Sequence, residues 1–191
     1  MTTRIIRPRF FWRDPITCAR ELIGADLIWG RCAGKIVEAE AYLAENDEAC
    51  HTFSRPSARA FVERNKPGAA YIYFSYGAHW MLNMLVKGKS NGFVLIRAAQ
   101  PLRGVELMKR RRKIDDERRL CSGPGKLTQA FDITNRHHEM NLCVDPQHCF
   151  THRDEDVDVV ADERIGITRS AHHPWRFTIR GSKFVSRRVK L

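Results

Sequence analysis

Apolar positions in this chain change their spacing several times, and each change marks an element. After Arg13-Asp14-Pro15, the stretch ITCARELIG sets Ile16, Ala19, Leu22 and Ile23 at helical spacing, with Asp14 as N-cap, Pro15 at the first helical position and Gly24 as terminator. ADLIWGRCAGKIVEAEAYL then predicts two strands around a turn near Gly30 to Gly34. In the second strand Glu38, Glu40 and Tyr42 share one face, and Val37, Ala39, Ala41 and Leu43 share the other. Residues 44–68 are polar and irregular and predict a loop that folds over a site. AAYIYFSYGAHWMLNMLV has strand propensity on both sides of Tyr76-Gly77, which predicts a hairpin with Tyr76 exposed at its tip. GFVLIRAAQPL reads as a buried strand ending in Arg97, followed by a helix from about Pro101 with Leu102, Val105 and Met108 inward. CSGPGKLTQAF predicts a loop entering a further helix, and WRFTIRGSKFVS predicts closing strands.

With 191 residues, 43% of them hydrophobic and 29% charged, the chain has enough material for one well-buried core and is short for two. One domain is expected. Lysine and arginine number 33 against 22 acids, a net charge of +11 that favours a polyanionic partner. No apolar stretch approaches the ~20 residues of a spanning helix, so no membrane association is predicted. The start MTTRIIRPRFFWRDP lacks a signal-peptide pattern, which makes the cytoplasm the expected compartment, or the nucleus in a eukaryote. Six cysteines without a C-x-x-C pair read as reduced, mostly buried thiols. The run of His137, His138, Cys143, His148 and Cys149 fits no standard ligand spacing, and no metal is predicted.

Candidate chemistry begins with Glu40. A strand glutamate is ordinarily a solvent-facing residue, but Tyr42 on the same face, His51 downstream and Arg97 on an otherwise apolar strand favour a buried acid paired with a guanidinium. Such a paired carboxylate stays ionised and can act as a base toward water. Tyr71, Tyr73 and Tyr76 form an aromatic group; strand aromatics are core fillers, whereas one at a hairpin tip can wedge between stacked bases. Asn83 within WMLNML must satisfy its amide on backbone or ligand. SGPGK lacks the spacing of a nucleotide phosphate loop, yet Lys126 with the amides of the following helix can hold one DNA phosphate. The basic run Lys109 to Lys113 reads as a solvated helix face.

The segments FFWRDPITCARELIGADLI, KIVEAEAYLAENDEACH, KPGAAYIYFSYGAHWMLNM, VLIRAAQPLRG, LCSGPGKLTQAF, RIGIT and WRFTIRGSKFVS, in this order over nearly the whole chain, resemble the alkyladenine (3-methyladenine) DNA glycosylase family of the mammalian type. The resemblance implies an α+β fold, a single domain with a curved, mostly antiparallel sheet, peripheral helices and a protruding β-hairpin. It implies a base-excision-repair enzyme that flips damaged purines out of double-stranded DNA and hydrolyses the N-glycosidic bond, without a cofactor and as a monomer. Glu40 takes the place of the catalytic glutamate and Arg97 that of the arginine near the attacking water. Tyr42, His51 and Tyr73 match the base-binding pocket, Asn83 the asparagine that excludes purines with a 2-amino group, and Ile167 a residue whose carbonyl touches the water. Tyr76 matches the intercalating residue. SARAFVER keeps Arg59, read with Lys126 as a phosphate contact, but has Ala60, Glu63 and Arg64 where the family has asparagine, methionine and phenylalanine.

Two other functions compete with this one. A polysaccharide glycosidase could pair Glu38 with Glu40, but neighbouring acids on one strand point in parallel rather than flanking a bond. A DNA-binding module without catalysis would be indifferent to neutralising Glu40.

Overall fold

The first helix forms where its signals stand: the Asp14 carboxylate accepts the Thr17 N–H at 2.8 Å, α1 runs Pro15–Leu22, and Gly24 turns the chain at φ +88°. The computed structural model describes residues 4–75 and 77–189. Over these residues the strands are β1 (Asp26–Trp29), β2 (Cys32–Leu43), β3 (Ala70–Ser75), β4 (His79–Lys87), β5 (Asn91–Arg103), β6 (His148–Thr151), β7 (Val159–Asp162) and β8 (Arg176–Ile179). The remaining helices are α2 (His51–Ser54), α3 (Pro56–Arg64), α4 (Val105–Arg112) and α5 (Pro124–Phe131). All strand pairs are antiparallel, in one curled sheet of order β3-β4-β5-β2-β1-β6, with β8 beside β2 and β7 beside β8. This is the α+β class expected.

Period-two alternation divides the central strands between two faces. On one face Ile72, Leu82, Met84, Val86, Val94, Ile96, Ala39 and Ala41 join Ala19, Leu22, Leu127 and Phe131 of the helices in the main core. On the other face Tyr71, Leu85 and Phe93 pack with Ala58, Phe61 and Val62 of α3, and Tyr42 and Tyr73 lie against them. Glu38, Glu40, Asn83 and Arg97 belong to the second face by position and contact. The sheet therefore carries its main core on one side and, on the other, a smaller apolar cluster beside the polar residues. All six cysteines are buried and free.

Several expectations need correction. Residues 44–68 contain α2 and α3 rather than a bare loop, because Pro56 opens α3 and Ala58, Phe61 and Val62 form an apolar face at helical spacing. Strand β5 does not end at Arg97 but continues to Arg103, and the helix starts at Val105, leaving Leu102 46% exposed. Pro101 is tolerated because pairing with β4 ends at Leu95, so β5 has β2 as its strand partner there and a missing N–H costs little on the free side. In the tail only residues 176–179 form a strand, and β6 and β7 were not predicted at all. The turn expected near Gly30 to Gly34 falls at Gly30-Arg31, with Gly34 already inside β2, and β3 pairs with β4 from Ala70↔Met84 to Ser75↔His79. Tyr76, at the tip where the protruding hairpin was expected, lies outside the described residues.

Gly92 lets β5 approach β2 at the site: a Cβ there would sit 2.1 Å from the Tyr42 carbonyl oxygen and 2.8 Å from Pro15. Because the obstacle is backbone, it cannot move aside as a side chain would. Gly92→Ala is expected to destabilise the fold by about 1–3 kcal/mol, the range for overpacking, read from the urea midpoint at unchanged slope.

Candidate active site

Neighbouring register pairs bring the second face together: Tyr71↔Asn83, Tyr73↔Met81, Asn83↔Leu95, Leu95↔Glu40 and Glu40↔Arg176. The result is a cavity of about 510 Å³, lined among others by Tyr42, His51, Tyr73, Asn83, Arg97 and Ile167. That volume lies within the roughly 300–1,000 Å³ of small-molecule pockets.

Glu40 is completely buried and accepts from three partners that themselves line this cavity. They are Arg97 Nη1 at 3.2 Å, the Tyr42 hydroxyl at 2.8 Å and the Ile165 backbone N–H at 2.7 Å. Burial lifts its carboxyl above the ordinary value of 4.5, and the nearby Glu38 adds to the rise, while Arg97, the Ile165 amide and Tyr42 pull against it. Arg97 thus opposes the rise without cancelling it. Desolvation works against the Arg97 charge too, but Glu40 and Glu38 more than offset it and the guanidinium stays protonated.

Arg97 reaches both acids because the sheet is irregular there. Register pairs Glu38 with Ala98 and Ala39 with Ile96, so Arg97 is an extra residue of β5, a bulge that re-aims its side chain. Its Nε donates to Glu38 at 3.1 Å. Glu38 also accepts from Arg176 Nε at 2.7 Å and from Ser186, through both its N–H and its hydroxyl.

The aromatic walls are neutral. Burial raises the Tyr42 hydroxyl well above its usual 10, with Glu40 adding to it, and pushes Tyr73 up to about 12. His51 is driven down to about 4 by burial and by the charge of Arg55. Its ring lies 4.2 Å from that of Tyr73, centroid to centroid, and its Nδ1 meets the Tyr71 hydroxyl at 3.1 Å. Asn83 resolves its two options by using both: its amide donates to the Tyr71 carbonyl at 3.2 Å, and the side chain lines the cavity.

A second ion pair holds the far wall. Arg164, fully buried, donates to both oxygens of Asp47 at 2.7 and 2.9 Å and to the carbonyls of Ala41 and Ser170. Its guanidinium lies 4.6 Å from the centre of the Tyr42 ring and 5.0 Å from that of Trp175. Arg164 thereby fixes both the ring of Tyr42 and the start of the segment that presents Ile165 and Ile167.

The structure brings Arg97, Tyr42, His51, Tyr73, Asn83 and Ile167 to one cavity, with Glu40 directly behind its wall on Arg97 and Tyr42. Arg59 and Lys126 do not line it: Arg59 donates to the carbonyls of Thr52 and Phe53, bracing α2, and Lys126 is exposed in the first turn of α5. Sequence reasoning missed Ile165, Arg164, Asp47, Arg176 and Ser186. All five lie within stretches that carry the resemblance, Arg164 and Ile165 in RIGIT itself, but their contacts depend on the tertiary approach of distant segments.

An antiparallel sheet with a buried acid–arginine pair at the wall of an aromatic, base-sized cavity, on a strongly basic chain, is the setting of a nucleic-acid hydrolase. Residues 9–183 match the methylpurine-DNA glycosylase family. A protein of Rhodopseudomonas palustris (strain HaA2), named "Putative 3-methyladenine DNA glycosylase", is 47% identical over 95% of this chain and 90% of its own length. Proteins of the same name from Nitrobacter winogradskyi and Nitrosospira multiformis are 45% and 44% identical, each over 93% of this chain and over 85% and 91% of their own lengths. The chain belongs to the methylpurine-DNA glycosylase family, DNA-repair enzymes that hydrolyse N-glycosyl bonds.

Asp47→Asn would leave the Arg164 charge buried against a neutral amide. A loss of about 3–5 kcal/mol is expected, as for breaking one side of a buried pair, measured by urea denaturation.

Proposed function

We propose that the protein removes 3-methyladenine, 7-methylguanine, etheno-adducts and hypoxanthine from double-stranded DNA, acting as a monomeric single domain that leaves an abasic site and does not cut the strand. The observation that carries this reading is Glu40, buried and held by Arg97, Tyr42 and Ile165 at the edge of a cavity walled by Tyr42, His51 and Tyr73.

A base inside a duplex is out of reach, so the nucleotide must be turned out into the cavity, at a cost of a few kcal/mol. Stacking on Tyr42 and Tyr73 returns about 1–3 kcal/mol per base, and Tyr76 is assigned the space the nucleotide leaves. Damaged bases pair poorly and are extruded more readily. Glu40 then orients a water and takes its proton as the water attacks the anomeric carbon, and its negative charge stabilises the positive charge growing on the sugar. The bond between anomeric carbon and base nitrogen breaks with its electron pair going to the base. An N-alkylated purine, already cationic, leaves neutral and needs no strong acid. Neutral tyrosines and a neutral His51 suit such a base, since a charged histidine would repel it. Glu38 is a poor candidate for a second glycosidase acid, because its oxygens already accept from Arg97, Arg176 and Ser186.

Glu40→Gln is expected to bind lesion duplex and release no base in a single-turnover assay with alkaline cleavage of abasic sites; full activity would remove Glu40 from the mechanism. For the wild type, Glu40 works ionised, and burial raises its pKa above 4.5. Excision of 7-methylguanine is therefore expected to rise with pH through a limb above 4.5 and then level off, and a limb at or below 4.5 would contradict the assignment.

Asn83 is fixed to the Tyr71 carbonyl, so its side chain forms a rigid part of the wall. Asn83→Ser is expected to raise release of normal guanine, on the order of tenfold, by relaxing the bar to a 2-amino group. Free guanine measured from undamaged duplex tests this, and no rise would refute it.

A further inference from the structure

Two acids share one guanidinium here, and the proposed chemistry uses only one of them. Glu38 is as buried as Glu40, but of its partners only Arg97 lines the cavity, whereas all three partners of Glu40 do. Its Oε1 takes Arg97 Nε, Arg176 Nε and the Ser186 hydroxyl at 3.1, 2.7 and 2.8 Å, and its Oε2 takes the Ser186 N–H. Arg97 Nη2 reaches the Ser186 hydroxyl at 3.4 Å, and Arg176 Nη2 donates to the Arg187 carbonyl. Residues 186 and 187 are thus tied to both buried arginines, although they lie beyond the span 9–183 that matches the family.

We propose that Glu38, with the Ser186 segment fastened to it, is a positioning residue for the hydrolysis: it holds Arg97 by Nε, divides the guanidinium between two carboxylates, and so leaves Glu40 free to act on water. The inference rests on the reading of Glu40 as the base.

A guanidinium facing a single carboxylate closes on it with two parallel bonds. Here Nε is taken by Glu38 and Nη2 by the Ser186 hydroxyl, so Glu40 is met by Nη1 alone. Were Glu38 neutral, the fork would turn fully on Glu40, engage the lone pairs that must face water and make it a weaker base. The charge itself acts in the same sense. The groups facing Glu40 are Glu38 and Tyr42 on its own strand, Arg97 of β5, Arg176 of β8, Tyr73 of β3 and Arg164 behind Tyr42. Among them Glu38 is the like charge that raises its basicity. An acid needed only to neutralise Arg176 would have no reason to take Arg97 as well.

The test uses the full chain, a duplex with one 7-methylguanine, saturating protein, a pH series and a separate measurement of duplex affinity. Glu38→Gln is expected to lower the plateau rate by about tenfold to a hundredfold, less than the roughly 10²–10⁴-fold of general-base assistance itself, with affinity nearly unchanged. The acidic limb should move to lower pH, and Glu38→Asp, which keeps the charge, should move it back. Ser186→Ala should shift rate and limb in the same direction but less, by about twofold to tenfold in rate, the worth of one hydrogen bond. A folded Glu38→Gln protein whose limb stays put or moves upward overturns the inference, as does loss of affinity in step with rate. If Glu38→Gln fails to fold by circular dichroism, Ser186→Ala decides, and an unmoved limb there overturns it. Wild-type protein that releases no base from any lesion duplex would instead bring down the functional reading and this inference with it.

Discussion

The Arg97 guanidinium, buried and set between Glu38 and Glu40, is the constraint on which the rest of the site depends. Two carboxylates buried side by side would each cost several kcal/mol and repel one another. Arg97 on one side and Arg176 on the other balance them, charge for charge, and Asp162 at the edge takes the outer nitrogen of Arg176. Such a cluster adds little net stability compared with apolar residues of the same size. Its presence at the wall of a cavity is therefore better explained by what it does to Glu40 than by what it does for the fold.

Placing that guanidinium requires the sheet to depart from regularity. In an unbroken ladder Arg97 would sit directly across from one acid, and its reach to the second would be poor. The bulge at Arg97, offset by an extra residue on β2 at Val37, lets the two long strands resume their pairing while the arginine sits between the acids. Gly92 serves the same end further along β5, allowing the strand to close on the Tyr42 backbone.

What the sequence disclosed follows from what is local. The capped helix at Asp14 and Pro15, the β1–β2 turn and the alternation that puts Glu38, Glu40 and Tyr42 on one face are all written within a few residues, and each appears in the structure. The family resemblance named the cavity residues and the partner, where the residues alone had offered only an acid, an arginine and some tyrosines. Residues 44–68 were misread because their helices are short and their polar face is the longer part of the pattern, while the apolar stripe of Ala58, Phe61 and Val62 is only three residues. Pro101 was taken as a helix start because proline more often opens helices than sits in strands; the rule fails on a strand with one free edge.

The supports of Glu40 escaped notice for a different reason. Ile165, Arg176 and Ser186 lie 125 to 148 residues along the chain from the acids they touch, and no local pattern marks a backbone amide as a future hydrogen-bond donor. They are also synthesised after β2. Until they dock, the acids of β2 have Arg97 as partner but lack these three groups, which complete their shells. An incomplete shell is costly for buried charge, so closure of the C-terminal region and burial of the acid pair are bound to occur together. The same coupling makes the catalytic geometry a property of the whole sheet: any change that loosens the tail against β2 alters the field at Glu40 before it disturbs the aromatic walls of the cavity.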